Sequence, residues 1–310
     1  MQASLEAWVR VDASRIAARV EERVRRFIDE YRPRFVYVMF SGGKDSATAL
    51  AAAMRVAPNR VVAVFSHIVG QTHHLNLQAA LETAKHLGMR VRVLRPGSPG
   101  ELRLALLREP PRPPELLVVV VSYRHGLSYW DAVLRYGFPA PAERFGRGLR
   151  WCCSEFKEKW WHELPANTVY NGRPAKALIA GVKASDSPYR AKRWKQPVNI
   201  FRAAQGQYRI ALAPLYDLRD HHVWSLLRHY GLYETIHKQY EVFGHSPNCV
   251  LCPLMNMEAF EKTIRVLPKS YLKRVLDVLV KVRGRYRDGT FSATRLDKWI
   301  RMIREVISDG

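Results

Sequence analysis

Apolar and polar positions alternate along this chain with two periods. Residues 35–40 form an unbroken apolar and aromatic run that leads into Ser41-Gly42-Gly43-Lys44-Asp45-Ser46, and an alanine-rich stretch follows to Met54. A short apolar run ahead of a glycine turn is the pattern of a strand buried on both faces of a parallel sheet, and alanine favours a helix after it. Residues 12–31 place Ile16, Val20, Val24 and Phe27 at helical spacing, with Pro33 as the stop. Further strands are predicted at 60–65, 91–94, 116–121 and 177–182, with a helix at 76–86 ended by Gly88 and a short one at 101–108. Residues 196–201 and 208–212, joined through Gln205-Gly206-Gln207, predict a hairpin, and Val223, Leu226, Leu227 and Tyr230 mark a helix that ends at Gly231. Strand–helix alternation implies right-handed crossovers. The expected fold is α/β, a doubly wound, mostly parallel sheet. Three parts are expected: an N-terminal helical segment (1–34), the α/β domain (35–256) and a basic C-terminal helical extension (257–310).

The turn after the first strand carries the first chemistry. Gly42 and Gly43 let backbone approach a ligand, a helix N-terminus favours negative charge, Lys44 adds a cation, and Ser41 and Ser46 add hydroxyls. A plain polar strand-to-helix turn would not call for all of these within six residues. The spacing does not fit the Walker pattern, which needs four residues between its first glycine and the Gly-Lys pair. The stretch resembles the PP-loop of the adenine-nucleotide α-hydrolase superfamily. That resemblance implies that Ser41, Gly42, Gly43, Lys44, Asp45 and Ser46 hold the pyrophosphate end of ATP. It also implies that the bond broken lies between the α- and β-phosphates, with Mg²⁺ sharing the charge.

Net charge changes the picture next. Lys and Arg outnumber Asp and Glu by 50 to 28, a net +22 spread along the chain. Such an excess attracts polyanions in a salt-dependent way, so tRNA, DNA or an anionic nucleotide are candidate partners, a reading favoured over that of a generally basic proteome or solubility at high temperature. No run of ~18 apolar residues is present, so no membrane span is expected. No charged-then-apolar leader opens the sequence, and a cytoplasmic location is the expectation.

Four cysteines come as two pairs, Cys152-Cys153 and Cys249-Val250-Leu251-Cys252. Cys-x-x-Cys is used by zinc, redox disulfides and Fe–S clusters alike. Adjacent side chains diverge, which makes Cys152 and Cys153 unusual ligands for one tetrahedral zinc. A 4Fe–4S cube offers separate iron corners.

Around these pairs the sequence resembles the phosphoadenosine phosphosulfate (PAPS) reductase-like family. The matching residues are Gly137-Phe138-Pro139, Arg150-Trp151-Cys152-Cys153 with Lys157 four positions on, the Gly181, Lys183, Asp186, Ser187, Arg190 element, and the Pro214-Leu215 to Trp224 passage. The resemblance spans roughly residues 35–256 and implies a 4Fe–4S cluster on Cys152, Cys153, Cys249 and Cys252, with zinc as second choice. It implies an anion site at Lys157, Gly181, Lys183, Ser187 and Arg190 beside the loop. At the tip after the second strand, Gly70-Gln71-Thr72-His73-His74 departs from the family pattern, and His67, His73 and His74 are assigned no role.

The family's reductases attack with a C-terminal cysteine, and none follows Cys252 here. The expected function is therefore ATP cleavage and adenylation in sulfur transfer to tRNA or DNA, with Lys44, Lys183 and Arg190 catalytic and a thiol or sulfide as donor. The alternatives are a reductase of PAPS or adenylyl sulfate that uses an external thiol, and a non-catalytic nucleic-acid-binding or cluster-carrier protein.

Overall fold

A computed structural model describes residues 2–123, 126–139, 151–202 and 207–309, with backbone alone for 2–11 and Tyr189. Arg150 and the Gln205-Gly206 link of the expected hairpin lie outside the described residues.

The strands are β1 (Val36–Phe40), β2 (Val61–Ile68), β3 (Arg90–Leu94), β4 (Glu115–Val121), β5 (Thr168–Tyr170), β6 (Arg173–Ala180), β7 (Val198–Arg202) and β8 (Tyr208–Leu212). They form one sheet in the order β3-β4-β2-β1-β6-β8-β7, with β5 paired to β6. The β1–β2, β1–β6, β2–β4, β3–β4 and β6–β8 pairs are parallel; β5–β6 and β7–β8 are antiparallel. The architecture is thus the expected α/β sheet with helices on both faces.

One face is buried by α1 (Gln2–Tyr31), α2 (Lys44–Val56), α3 (His74–His86) and α9 (Asp220–His229). Alanines let α2 lie close to the sheet: Ala47, Ala49, Ala51, Ala52 and Ala53 are all fully buried. α10 (Tyr233–Phe243) closes over the N-terminal end of α2. The other face is covered over β1, β2 and β4 by α4 (Pro99–Arg108), α5 (Tyr129–Tyr136), the helical stretch 151–162, α11 (Met257–Val266), α12 (Lys269–Arg283) and α13 (Phe291–Ser308). The stretch 151–162 runs as α6 (Trp151–Cys153), a wider π-turn over Ser154–Glu158, and α7 (Lys159–His162). The remaining short helix is α8 (Pro188–Arg193). That second cluster does not extend over β7 and β8, where only a small apolar group around Trp194, Ala211 and Ala213 is found. An open cleft results on the β6–β8–β7 side.

Three local differences from the sequence reading have simple causes. β2 continues through Ser66 and His67 to Ile68, because β4 is long enough to pair with it to Val121. His67 is therefore a strand residue, and burial followed by the Arg95 charge lowers its pKa. β6 ends at Ala180, so Gly181 and Val182 belong to the following loop. β5 was not expected; a two-residue turn at Asn171 (φ 47°) and Gly172 (φ 71°) folds it onto β6. Among the described residues no helix is long and apolar enough to cross a membrane.

Candidate functional site

β1 feeds strands to both sides: the chain moves outward to β2 and later returns to β6 on its other flank. Such a switch point leaves a crevice at the carboxyl ends of the strands, where open α/β sheets bind ligands. The Ser41–Ser46 loop after β1 and the Gly181–Ser187 segment after β6 meet there. A side chain at Gly181 would put its Cβ 2.5 Å from both Asp45 C and Ser46 N. Glycine is needed because two backbones touch.

The loop is held from behind. Ser41 N–H donates to Ser46 Oγ (3.1 Å), and Ser46 Oγ donates to the Gly43 carbonyl (3.0 Å). Lys44 N–H donates to the Tyr240 hydroxyl at 3.1 Å, and Gln239 Nε2 donates to the Gly42 carbonyl at 2.6 Å. Asn76 Nδ2 reaches the Ser41 carbonyl (3.1 Å), Gln239 Oε1 (2.9 Å) and Ser246 Oγ (3.1 Å). Gly42, at φ 72°, has no room for a Cβ, which would sit 2.7 Å from Asn76 Nδ2. Gly43 is the N-cap of α2 and brings no side chain to cap it; Lys44 N–H is held by Tyr240, and the helix dipole at this end favours an anion.

Lys183 is completely buried, and its ammonium is shared by three carboxylates: Asp45, Asp186 at 2.8 Å and Asp220 at 3.1 Å. Lys44 Nζ lies 3.4 Å from Asp45 and 3.5 Å from Asp220, and Arg190 pairs with Asp186. Three cations thus face three carboxylates. Burial alone would lower the Lys183 pKa, but Asp45 and then Asp186 outweigh it and hold the group above its ordinary value. Burial likewise opposes ionisation of Asp220, and the Lys183 and Lys44 ammoniums overcome it, so its pKa is lowered.

The sign of each shift fixes a pH window. The Asp220 contribution is present above its ordinary pKa and is lost as pH falls through the lowered one. The Lys183 contribution is present below its ordinary pKa of 10.5 and is lost as pH rises through the raised one. Lys183→Met removes the one buried cation that all three carboxylates share, leaving Lys44 and Arg190 to offset their repulsion from the edge, and is expected to cost about 3 kcal/mol at neutral pH. Urea unfolding at neutral pH and near pH 4 checks this: the deficit should shrink in acid as the carboxylates take up protons.

Sequence reasoning named Lys183 and Arg190 but missed Asp220, Tyr240, Gln239 and Asn76 as parts of this site. Asp220 heads α9, 175 residues from Asp45, and only the fold brings them together. Ser187 caps α8, accepting from Arg190 N at 3.2 Å.

A cleft of ≈ 1290 Å³ runs from Ser41, Ser46 and Gly181 along the exposed face of β6 and β8. Its floor carries Leu178, Ala180 and Ala211, and its walls include Trp161, Trp194 and Phe201. This exceeds the usual ~300–1,000 Å³ of small-ligand sites and leaves room for a nucleotide beside a second group.

The cysteines come together at a neighbouring place. All four thiols act on buried Tyr129 and raise its pKa after burial, and Cys249, Cys153 and Cys252 act on Lys157. Burial works to lower the Lys157 pKa; the Cys249 and Cys153 charges outweigh it, and Cys249 is its hydrogen-bond partner. Lys157 thus lies with the cysteines and does not line the cleft. It sits in the π-turn that directly follows Cys152 and Cys153; such turns are frequent at functional sites.

The Cys249–Cys252 loop is clamped by fully buried Gln71. Val250 N–H donates to its backbone carbonyl (2.9 Å), Leu251 N–H to its Oε1 (3.1 Å), and its Nε2 to the Leu251 carbonyl (3.2 Å). Thr72 Oγ1 adds a bond to the Asn248 carbonyl at 3.2 Å. The tip after β2, which departs from the family pattern, therefore positions the cysteine loop. None of the four cysteines is in a disulfide, and each is half-buried. Among the described residues no group of three or more His, Cys, Asp or Glu is arranged as a ready metal site. The donor set fits a metal that binds thiolates; the thiols face one region without being spaced for coordination.

One of the tip histidines has structural work. His73 caps α3, its Nδ1 accepting from Leu75 N–H at 3.3 Å, and burial followed by the His74 charge lowers its pKa to about 4. The cap needs the neutral ring, so stability should fall as pH drops from about 6.5 towards about 4. His73→Ala is expected to cost about 1 kcal/mol, with Asn restoring most of it, as thermal unfolding would read.

No family model matches the chain. Over 243 residues, 77% of the chain, it is 25% identical to an uncharacterised protein of Methanocaldococcus jannaschii. The chain spans 40% of that relative's length. Among solved structures, an NH3-dependent NAD synthetase from Campylobacter jejuni aligns with 96% of this chain and 94% of its own at 13% identity and a TM-score of 0.41. An NMN synthetase from Francisella tularensis aligns over 96% of each chain at 14% identity and a TM-score of 0.38. At those scores the chemistry has to be read from the residues themselves.

Proposed function

We propose that this chain is an ATP-dependent enzyme of the PP-loop class that adenylates an oxygen of a nucleic acid, tRNA or DNA, for sulfur transfer. The observation that supports it most is the seating of Gly181 against Asp45 and Ser46. That contact puts a glycine loop at a helix N-terminus, Lys44 and a second cationic segment at one switch-point crevice. Ser41, Ser46 and the backbone of Gly42 and Gly43 cradle pyrophosphate, and Lys44 neutralises the charge that develops on the α–β bridging oxygen. The acceptor oxygen attacks the α-phosphorus, the bond to the bridging oxygen breaks, and pyrophosphate leaves with the electron pair. A thiol or sulfide then displaces AMP from the adenylated acceptor.

Lys183 holds Asp45, Asp186 and Asp220 in place from beneath, and Arg190 supplies charge at the lip of the cleft where the acceptor enters. Asp45, Asp186 and Asp220 would be the oxygen donors beside the loop for the Mg²⁺ that accompanies ATP, which would supply further neutralisation of phosphate charge. Cys152, Cys153, Cys249 and Cys252 would hold a 4Fe–4S cluster, one thiolate to each iron, which would tie the two cysteine segments together beside the cleft. Lys157 and Tyr129 border it.

Calorimetric titration of ATP and of PAPS into the same sample tests the reading. ATP is expected to bind and Lys44→Ala to weaken it at least tenfold. Sulfite released from PAPS with thioredoxin present, without ATP binding, would assign the reductase function instead.

A further inference from the structure

The cleft has a second cationic end that the loop chemistry does not use. Lys176 and Arg209 are register partners on neighbouring parallel strands β6 and β8, with both side chains lining the cleft. Like charges placed directly opposite each other destabilise a sheet. Lys176 is also only 6% exposed, which adds a desolvation cost. Neither cation has a carboxylate in ion-pair contact among the described residues. Lys176 donates to the His162 backbone carbonyl, and the Arg209 guanidinium lies against the His162 ring, its Nη2 2.9 Å from Nε2. Arg209 Nε and Trp161 Nε1, both on the cleft wall, are buried without a hydrogen-bond partner. The nearby acids do not compensate: Glu163 pairs with Arg103 at 3.9 Å, and Glu158 acts on Arg209 only at a distance. Burial, then the Arg209 charge, pulls the Lys176 pKa down to about 8. A cation pair this strained, at the floor of a cleft and with donors left over, is built for an anion from outside.

We infer that Lys176, Arg209 and the Trp161 indole form a second anion subsite, for a phosphate group of the substrate that shares the cleft with the nucleotide. Lys176 lies four strand residues upstream of Ala180, next to Gly181, so the two anion sites are about 13 Å apart. Between them lie Leu178 and Ala211 on the floor and the rings of Trp194 and Phe201 on the wall, surfaces for a base or sugar. The subsite rests on the nucleotide reading only in giving the loop end to pyrophosphate.

Calorimetric titration of inorganic phosphate into the full chain at neutral pH and low salt tests it. Two phosphates are expected to bind. Lys176→Met should lose one of them while its melting temperature, without phosphate, stays at or above that of the wild type, because the like-charge contact is gone. Arg209→Gln, at a half-buried position, should weaken the same site at least tenfold and carries the test should Lys176→Met not fold. Lys44→Ala should lose the other phosphate only. Displacement of the second phosphate by a dinucleotide assigns it to a phosphodiester backbone; displacement by AMP alone assigns it to a free phosphomonoester. Unchanged phosphate stoichiometry in the Lys176 and Arg209 variants would overturn the inference. This readout needs no ATP turnover, so failure of the subsite and failure of the adenylation reading are separate results.

Discussion

Gly181→Ala is expected to cost about 3 kcal/mol of stability, the upper end for an overpacked site, and to reduce ATP binding at least tenfold. The added Cβ would lie 2.5 Å from Asp45 C and Ser46 N and 2.6 Å from Asp45 O. All three are backbone atoms in the first turn of α2, and no side chain can swing aside to make room. Retreat of the loop is blocked from the far side, where Tyr240 holds Lys44 N–H, Gln239 holds the Gly42 carbonyl and Asn76 holds the Ser41 carbonyl. The strain has to be taken by the loop geometry or by the end of β6, and either displaces the phosphate cradle from Lys183. Gly100→Ala is the control: it sits in α4 with nothing within 4 Å of the new Cβ. There the exchange is expected to be neutral or to stabilise by up to about 1 kcal/mol. Thermal unfolding and ATP titration of the two variants side by side check this; a Gly181→Ala protein as stable as Gly100→Ala would contradict the close contact.

Cys249→Ser and Cys153→Ser are each expected to remove nearly all iron and acid-labile sulfide from anaerobically purified protein. Cys153 and Cys249 come from segments almost a hundred residues apart, yet both act on Lys157 and on Tyr129. Without a metal, burial and then the Cys249 charge push the Cys252 thiol up to about 11, and the hydrogen bond with Cys153, followed by burial, holds Cys152 higher still. A thiol pushed up in this way, as Cys252 is, carries a cost that bound metal reverses, since metal binds the thiolate. Lys157→Met removes the adjoining cation and is expected to lower metal affinity by roughly 10–100-fold, the range seen for groups that support a ligand. Iron, sulfide and zinc analysis of wild type and the three variants measures all of this. Stoichiometric zinc with no sulfide in the wild type would replace the cluster by a zinc site.

What could be read from the sequence was local. The apolar runs at β1 and β4 and the alternation of strand and helix gave the parallel sheet, because strands buried on both faces lose the polar alternation of exposed ones. The Ser41–Ser46 loop was legible for the same reason: its whole function sits in six consecutive residues. β5 is short, three residues, and its pairing to β6 depends on the Asn171-Gly172 turn rather than on an apolar run of its own.

Other features depend on residues the chain separates widely. Asp45, Asp186 and Asp220 converge on Lys183 only because β1 and β6 are neighbours and α9 starts above them. Gln71 clamps the Cys249–Cys252 loop from 180 residues away. Lys176 was hidden for a different reason: it sits just before an apolar stretch that reads as core, and nothing in the sequence says that β8 sets Arg209 beside it.

The most direct measurement follows the fate of ATP labelled at the α- and γ-phosphates, in the presence of tRNA or DNA and a sulfide donor. Cleavage between the α- and β-phosphates predicts label divided between AMP and pyrophosphate in equal amounts, with Lys44→Ala at background. Release of ADP and inorganic phosphate, or no ATP consumption with every acceptor while iron and sulfide are intact, would contradict it.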